Sequence, residues 1–397
     1  MLEMMLGGGR APVGFEVIKV SNSESGDLTL LTNDGRLYVR GRNARYTAGN
    51  GSTVDYSKAW GLSDTDVADF CTGVSGLLYR KHDGTLWITG YFHGFGTSSG
   101  TINAITRQNI TANVPAGALA IGIKKMIKGV GNTYLLLNDG SVYGSGSFNN
   151  GMMGVAPSST YIQSFVKLST PSVGFQDGVK ITDISMTSLG GARLVYFLAE
   201  NGDVYGIGDG SRGGLGASAM GNGNYTPVRV ATNIVRMAAG WGCLYVESTG
   251  GVLSGIGSAY YGQIGRTYGA ETSYYNTFGA LKTFTNSNHD WHVGKNRIWI
   301  RDGSVWSYYG ITNGYGIGTT ALVYASQPGP TIITPGLESF TTAVLNGDDA
   351  NSFRSLALMD GELYGCGYAD PYNDAMPGIA LGTDAITFKK LDLSGIV

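Results

Sequence analysis

The sequence predicts an all-β protein: a seven-bladed β-propeller built from four-stranded antiparallel blades. Three observations predict it. A turn dipeptide recurs seven times along the 397 residues. An aliphatic residue, an aromatic residue and a glycine follow it at set offsets. No segment carries helical periodicity, so the apolar residues fall to strands.

The turn is the anchor of the repeat. It stands at Asp34-Gly35, Asp83-Gly84, Asp139-Gly140, Asn201-Gly202, Gly250-Gly251, Asp302-Gly303 and Asp360-Gly361. Successive second glycines lie 49, 56, 62, 49, 52 and 58 residues apart. Asp-Gly and Asn-Gly supply positive φ, and a two-residue hairpin loop is expected. Two residues on comes Leu37, Leu86, Val142, Val204, Leu253, Val305 or Leu363. The next position is Tyr38, Trp87, Tyr143, Tyr205, Trp306 or Tyr364, with Ser254 in the fifth copy. A further glycine follows at Gly41, Gly90, Gly146, Gly208, Gly257 and Gly367; the sixth copy has Tyr309 there and Gly310 one position late.

Strand-formers flank the turns, as in Leu28-Thr-Leu-Leu31 and Tyr134-Leu-Leu-Leu137. A further apolar segment lies upstream, such as Ile234-Val-Arg-Met237, and another downstream, such as Pro227-Val-Arg-Val230. Four strands in each of seven units describe a propeller. Gly144-Ser-Gly146 and Gly206-Ile-Gly208 are expected on the inner strands, where blades crowd the axis and glycine permits close approach. The propeller takes residues 15–397, and residues 1–14 form an arm before it. Whether Phe15–Val20 shares a blade with Thr387–Leu393 stays open.

Composition narrows the function. Glycine reaches 64 residues and tyrosine 24, while charged residues make up 14% and the net charge is −2. A nucleic-acid binder would carry a basic stripe, and an electrostatic membrane anchor a basic cluster. No apolar run reaches the roughly 18 residues that span a bilayer. The start lacks a signal-peptide pattern, so synthesis in the cytoplasm is expected. Cys71, Cys243 and Cys366 are odd in number and far apart, which fits buried apolar residues better than a disulfide framework or a zinc site.

Catalytic motifs are absent. His289, Asp290 and His292 could supply metal ligands, but residues three apart in a strand face opposite sides. Asn346–Asn351 and Asp370–Asp374 are acidic loops without calcium-loop spacing, and read as Asx-rich turns. Gly206–Gly214 looks like a phosphate loop but lacks the Gly-Lys-Ser/Thr ending. No enzyme activity, metal or cofactor is expected. Tyrosine with Gly, Ser and Asn makes adaptable recognition surfaces, and the candidate binding residues are Trp241, Tyr260, Tyr261, Tyr274, Tyr275, Tyr308 and Tyr309.

Ser355-Leu-Ala-Leu-Met-Asp-Gly-Glu-Leu-Tyr-Gly-Cys-Gly367 resembles the repeat of the regulator-of-chromosome-condensation family. Ala238-Ala-Gly-Trp-Gly-Cys-Leu244, Tyr261-Gly-Gln-Ile-Gly265, Gly213-Gly-Leu-Gly216 and Asn150-Gly-Met-Met-Gly154 resemble other parts of it. The resemblance covers residues 15–393 and implies the propeller fold. It leaves the role open, because the family includes an exchange factor for a small GTPase, a plant ultraviolet-B photoreceptor and a secreted β-lactamase inhibitor. Of the photoreceptor's tryptophan cluster, Trp241 alone has a counterpart.

The Gly/Ser/Thr/Asn/Tyr bias looks like that of a bacteriophage tail protein. The expectation is a non-enzymatic binding protein of a virion that recognises a host surface protein or glycan. Met1, Leu2, Met4, Met5 and Leu6 would dock the arm onto other tail proteins. One alternative is a protein-binding regulator or inhibitor, like the exchange factor. Another is a glycan-binding or glycan-cleaving propeller, which needs paired carboxylates about 5–10 Å apart for cleavage.

Overall fold

In a computed structural model, the described residues are 16–22, 27–41, 43, 48–52, 56, 59–73, 76–93, 101–129, 131–147, 151–154, 161–169, 175, 178–187, 193–219, 224–259, 262–266, 274–294, 297–310, 331–333, 344–346, 355–359, 362–368, 384–393 and 396. They form seven antiparallel sheets of four strands, each in plain sequence order. Blades 1 to 7 span residues 17–64, 67–109, 123–167, 181–231, 234–283, 289–333 and 344–390. A short α-helix, Ala116–Ile121, lies between blades 2 and 3. The seven-bladed all-β reading holds.

The Asp-Gly hairpins differ from the expected two-residue loops. In blade 1 the Gly35 N–H donates to Thr32 O and the Thr32 N–H to Arg36 O, both at 3.0 Å, so residues 33–35 form a three-residue loop. Left-handed backbone is needed at the glycine alone: φ is 80° at Gly35, 85° at Gly84 and Gly140, and 82° at Gly202. The preceding aspartate stays at negative φ and uses its side chain instead. Asp139 Oδ1 accepts the Ser141 N–H at 2.9 Å, and Asp83 Oδ1 the Thr85 N–H at 2.9 Å. A turn closed by a left-handed glycine suits the strand twist as well as a two-residue loop does. Blade 6 has the two-residue version, with Asp302 paired to Val305 across Gly303 and Ser304.

The later glycines Gly146 and Gly208 are not at the axis, as expected, but towards the end of the third strand. There they press against backbone just ahead of the second strand. A Cβ on Gly146 would lie 2.1 Å from Gly131 O, and one on Gly208 would lie 2.2 Å from Arg193 O. In blade 6 the shorter turn shifts the register by one residue, so Gly310 takes this place with φ 125°.

Part of the tyrosine surplus is structural. Tyr134, Tyr196 and Tyr245 sit fully buried on second strands. Their hydroxyls donate to Met152 O, Gly214 O and Gln263 O at 3.0, 3.0 and 2.9 Å. Those carbonyls belong to the Gly-rich late elements of the repeat, which are thereby pinned to the sheet.

The core lies between blades rather than within one. Second strands such as Asn132–Leu137 and Leu194–Ala199 are buried along their whole length because a neighbour covers each face. Leu31 and Leu37 of blade 1 meet Val67, Phe70 and Leu77 of blade 2. Similar layers join blades 2 to 3, 3 to 4, 4 to 5 and 5 to 6. The ring closes in the same way, with Val17, Val20 and Leu30 packed on Leu356, Leu363 and Leu391. The first strand pairs within blade 1 and the last, Asp384–Lys390, within blade 7, so the chain ends share no blade.

Candidate functional site

The first strands of neighbouring blades touch around the axis. In blades 1, 2, 4 and 5 the pairing register jumps after the first residue, between Val17 and Lys19, Val67 and Asp69, Ile181 and Asp183, and Ile234 and Arg236. Blade 3 skips Lys124 in the same way. Such a bulge frees one residue from the ladder and re-aims its side chain. Ile18, Ala68, Lys124, Thr182 and Val235 therefore form a rim at one end of the axis. Ile18 is 51% exposed and Val235 55%, although both are large and apolar.

Below the rim lies a ring of alternating charge. Lys19, Asp69, Lys125, Asp183, Arg236 and Asp290 occupy matching places in blades 1 to 6. Lys19 pairs with Asp69 at 2.6 Å, Lys125 with Asp183 at 2.7 Å, and Arg236 with Asp290, each across a blade boundary. Asp69, Asp183 and Asp290 also each accept the next residue's backbone N–H at 2.8 Å, which orients the carboxylate. Half-exposed pairs of this kind contribute about 0–1 kcal/mol each. Their main effect is to keep the axis neutral and the blades in register. Sequence reading missed this ring. Its signal is the charged residue directly before the buried Val20, Phe70, Met126, Ile184, Met237 and Trp291.

The ring borders a 360 Å³ axial cavity lined by Ser21, Cys71, Thr72, Met126, Lys128 and Met186, among others. The Ser21 and Thr72 hydroxyls hydrogen-bond at 2.6 Å. Burial pushes the Cys71 and Cys243 thiols up to about 12, so both are inert at neutral pH.

His289 and His292 fall on one strand, His289–Val293, and separate as strand geometry demands. His289 is committed to structure. Its Nε2 lies 2.7 Å from Glu247 Oε1 and its Nδ1 2.7 Å from Asn286 O, and the ring stacks on Phe284 at 4.0 Å. Glu247 Oε2 accepts the Trp291 indole N–H at 2.7 Å. His292 Nε2 sits 3.0 Å from Asp290 Oδ2 but is not aligned for a hydrogen bond. Among the described residues no group of three His, Cys, Asp or Glu is placed to hold a metal ion.

Both nitrogens of His289 face acceptors, which favours the doubly protonated ring. Burial opposes the charge, but the bonds to Glu247 and Asn286 outweigh it, and the His289 pKa rises above its ordinary 6.5. The folded protein thus holds this proton more tightly than the unfolded chain. The stabilisation is complete below the unfolded pKa and fades as pH rises through the folded value. Urea unfolding at pH 5.5 and pH 8.5 should show a loss on the order of 1 kcal/mol for this partly exposed pair. His289→Gln should flatten that difference, and an unchanged pH slope in the variant would refute it.

The expected aromatic patch is divided. Tyr274 is 43% exposed. Tyr275 is half-buried, with the Arg266 guanidinium 4.4 Å from its ring centroid. Tyr308 and Tyr309 face inward: Tyr308 packs 5.7 Å from Trp299, and the Tyr309 hydroxyl donates to Leu281 O at 2.7 Å. Both are buried, at 3% and 5% exposure, and so removed from the surface: the outer strand of blade 5 covers Tyr309, while Tyr308, on the opposite face of the strand, packs on Trp299. Trp241 is half-buried, and its carbonyl accepts from Gln263 Nε2 at 3.4 Å. Tyr260, Tyr261, the arm residues Met1, Leu2, Met4, Met5 and Leu6, and the acidic loops beyond Asn346 lie outside the described residues.

Seven consecutive four-stranded blades closed face to face make a seven-bladed β-propeller, here built from divergent repeats. No protein-family model matches the sequence. Prp20p from Saccharomyces cerevisiae superposes with a TM-score of 0.70 at 16% identity, over 95% of this chain and 91% of that one. Yeast RCC1 (Prp20) bound to Kap60 gives 0.71 at 16% identity, over 100% and 91%. Human WBSCR16 gives 0.70 at 16% identity, over 90% and 94%. At this identity the likeness establishes the fold.

Proposed function

We propose that this chain is a non-enzymatic propeller that binds a protein partner on its axial rim, in the manner of a regulator. The carrying observation is the pair of exposed apolar residues, Ile18 and Val235, held out by bulges on first strands anchored in the ring. Rigid apolar anchors ringed by polar groups are what protein interfaces use. The structural neighbours support a protein partner: Prp20p is described with its binding to Gsp1p and histones, and yeast RCC1 was solved with Kap60. Cross-linking and affinity capture with purified protein should recover a stoichiometric protein partner. Ile18→Asp with Val235→Asp should weaken its binding at least about tenfold, the loss of one or two anchors. Undiminished capture by the double variant would sink the rim.

The finer reading is attachment of a virion to a bacterial surface. It rests on the Gly/Ser/Thr/Asn/Tyr composition, on the apolar residues among 1–14, and on exposed Tyr274 beside the Arg266–Tyr275 stack. Saturable binding to intact host cells that survives deletion of residues 1–14 would support it.

A further inference from the structure

Away from the axis, blades 1 and 2 meet in an open cleft of 410 Å³ lined by Asn50, Asp64, Lys81, Trp87, Thr106 and Arg107. Its frame is stiff. Asn50 and Thr106 form a β-bridge between the blades, and the Arg107 N–H donates to Gly49 O at 3.2 Å.

Asp64 is the buried centre, at 4% exposure. Its carboxylate accepts the Thr65 N–H at 2.8 Å, the Tyr79 hydroxyl at 2.7 Å, Lys81 Nζ at 3.1 Å and Arg107 NH1 at 3.0 Å. A carboxylate has about four acceptor sites, and with Thr65, Lys81 and Arg107 on Oδ1 and Tyr79 on Oδ2 Asp64 has little capacity left. The cations have capacity to spare. Two positive charges against one negative leave a surplus of one. Among the described residues, the Arg107 guanidinium donates to Asp64 alone, so its other N–H groups are open to the cleft. Lys81 Nζ sits 5.2 Å from the Trp87 ring centroid, which fixes its position.

We propose that this cleft binds an acidic side chain, Asp or Glu, presented by a protein partner, with Arg107 and Lys81 as receptors and Asp64 as the group that holds them. A single surplus charge matches a carboxylate better than a phosphate dianion. The opening points to a presented side chain. Side chains of Arg107 and Lys81 are 46% and 20% exposed, whereas sites for free small molecules enclose most of the ligand. A partner would cover the remainder. The assignment deepens the protein-binding reading and rests on it.

The test is NMR of the Arg107 Nε–H and Trp87 indole N–H during titration with hexaglutamate, hexaglutamine and trigalacturonate. Saturable shifts with hexaglutamate, none with hexaglutamine, and at least tenfold weaker binding to Arg107→Gln are expected. Arg107→Lys keeps the ion pair and controls for folding; it should bind with intermediate strength. No shift with hexaglutamate, or equal affinity in Arg107→Gln, overturns the site. Tighter binding of trigalacturonate overturns the protein partner in favour of an acidic glycan. Failure of the wild-type protein to capture any protein partner, with hexaglutamate binding intact, would overturn the protein-binding reading and leave the carboxylate site standing.

Discussion

Trp291→Ala should lower the unfolding free energy by about 3–5 kcal/mol, the range for removing a fully buried large aromatic side chain. Trp291 has 0% exposure and packs in the layer between blades 5 and 6 with Tyr245, Ile298 and Ile300. Its removal also strips a donor from Glu247, which is 6% exposed and would keep His289 as a partner. The Arg236 guanidinium, 4.4 Å from the indole, would lose the ring beneath it. Trp291→Phe separates the contributions. It keeps most of the packing and loses the hydrogen bond to a buried carboxylate, a cost of about 1–3 kcal/mol. Urea unfolding followed by circular dichroism measures both. A shift under 1 kcal/mol in the alanine variant would mean that this seam is not part of the cooperative core.

Gly208→Ala should cost roughly 2–6 kcal/mol, combining backbone strain with overpacking. Gly208 has φ 125°, and its added Cβ would meet Arg193 O at 2.2 Å. That carbonyl cannot retreat freely, because it accepts the Asp209 N–H at 3.0 Å. Gly84→Ala is the matched comparison. Its φ is 85°, yet nothing lies within 4 Å of the new methyl, so only the backbone strain of about 1–3 kcal/mol applies. Thermal melts of the two variants should rank Gly208→Ala well below Gly84→Ala. Equal melting temperatures would show that close packing at the third-strand end is not what the glycine is for.

The repeat was legible because its chemistry is local. Turn aspartate, turn glycine and the aliphatic–aromatic pair lie within a few residues of one another, and each states its own backbone requirement. The candidate site was far less legible. Tyr308 and Tyr309 look like surface aromatics in the chain, but Trp299 beside the first and the outer strand of blade 5 over the second make them core. Tyr274, on the outer strand of blade 5 itself, stays out. Lys19 and Asp69 are separated by 50 residues, and Asp64 and Arg107 by 43. Nothing at either position names the other until the ring brings them together.

By itself, then, the chain determined the number of blades, the order of strands within each, the hairpin positions and the need for glycine at Gly35, Gly84, Gly140 and Gly202, since these follow from contacts short in sequence and from φ. Tertiary structure alone decided how the ring closes, which end of the axis exposes Ile18 and Val235, and which charges neutralise one another. Those outcomes depend on which blade lies against which face, and burial of a side chain is set by its neighbour in space rather than its neighbour in sequence.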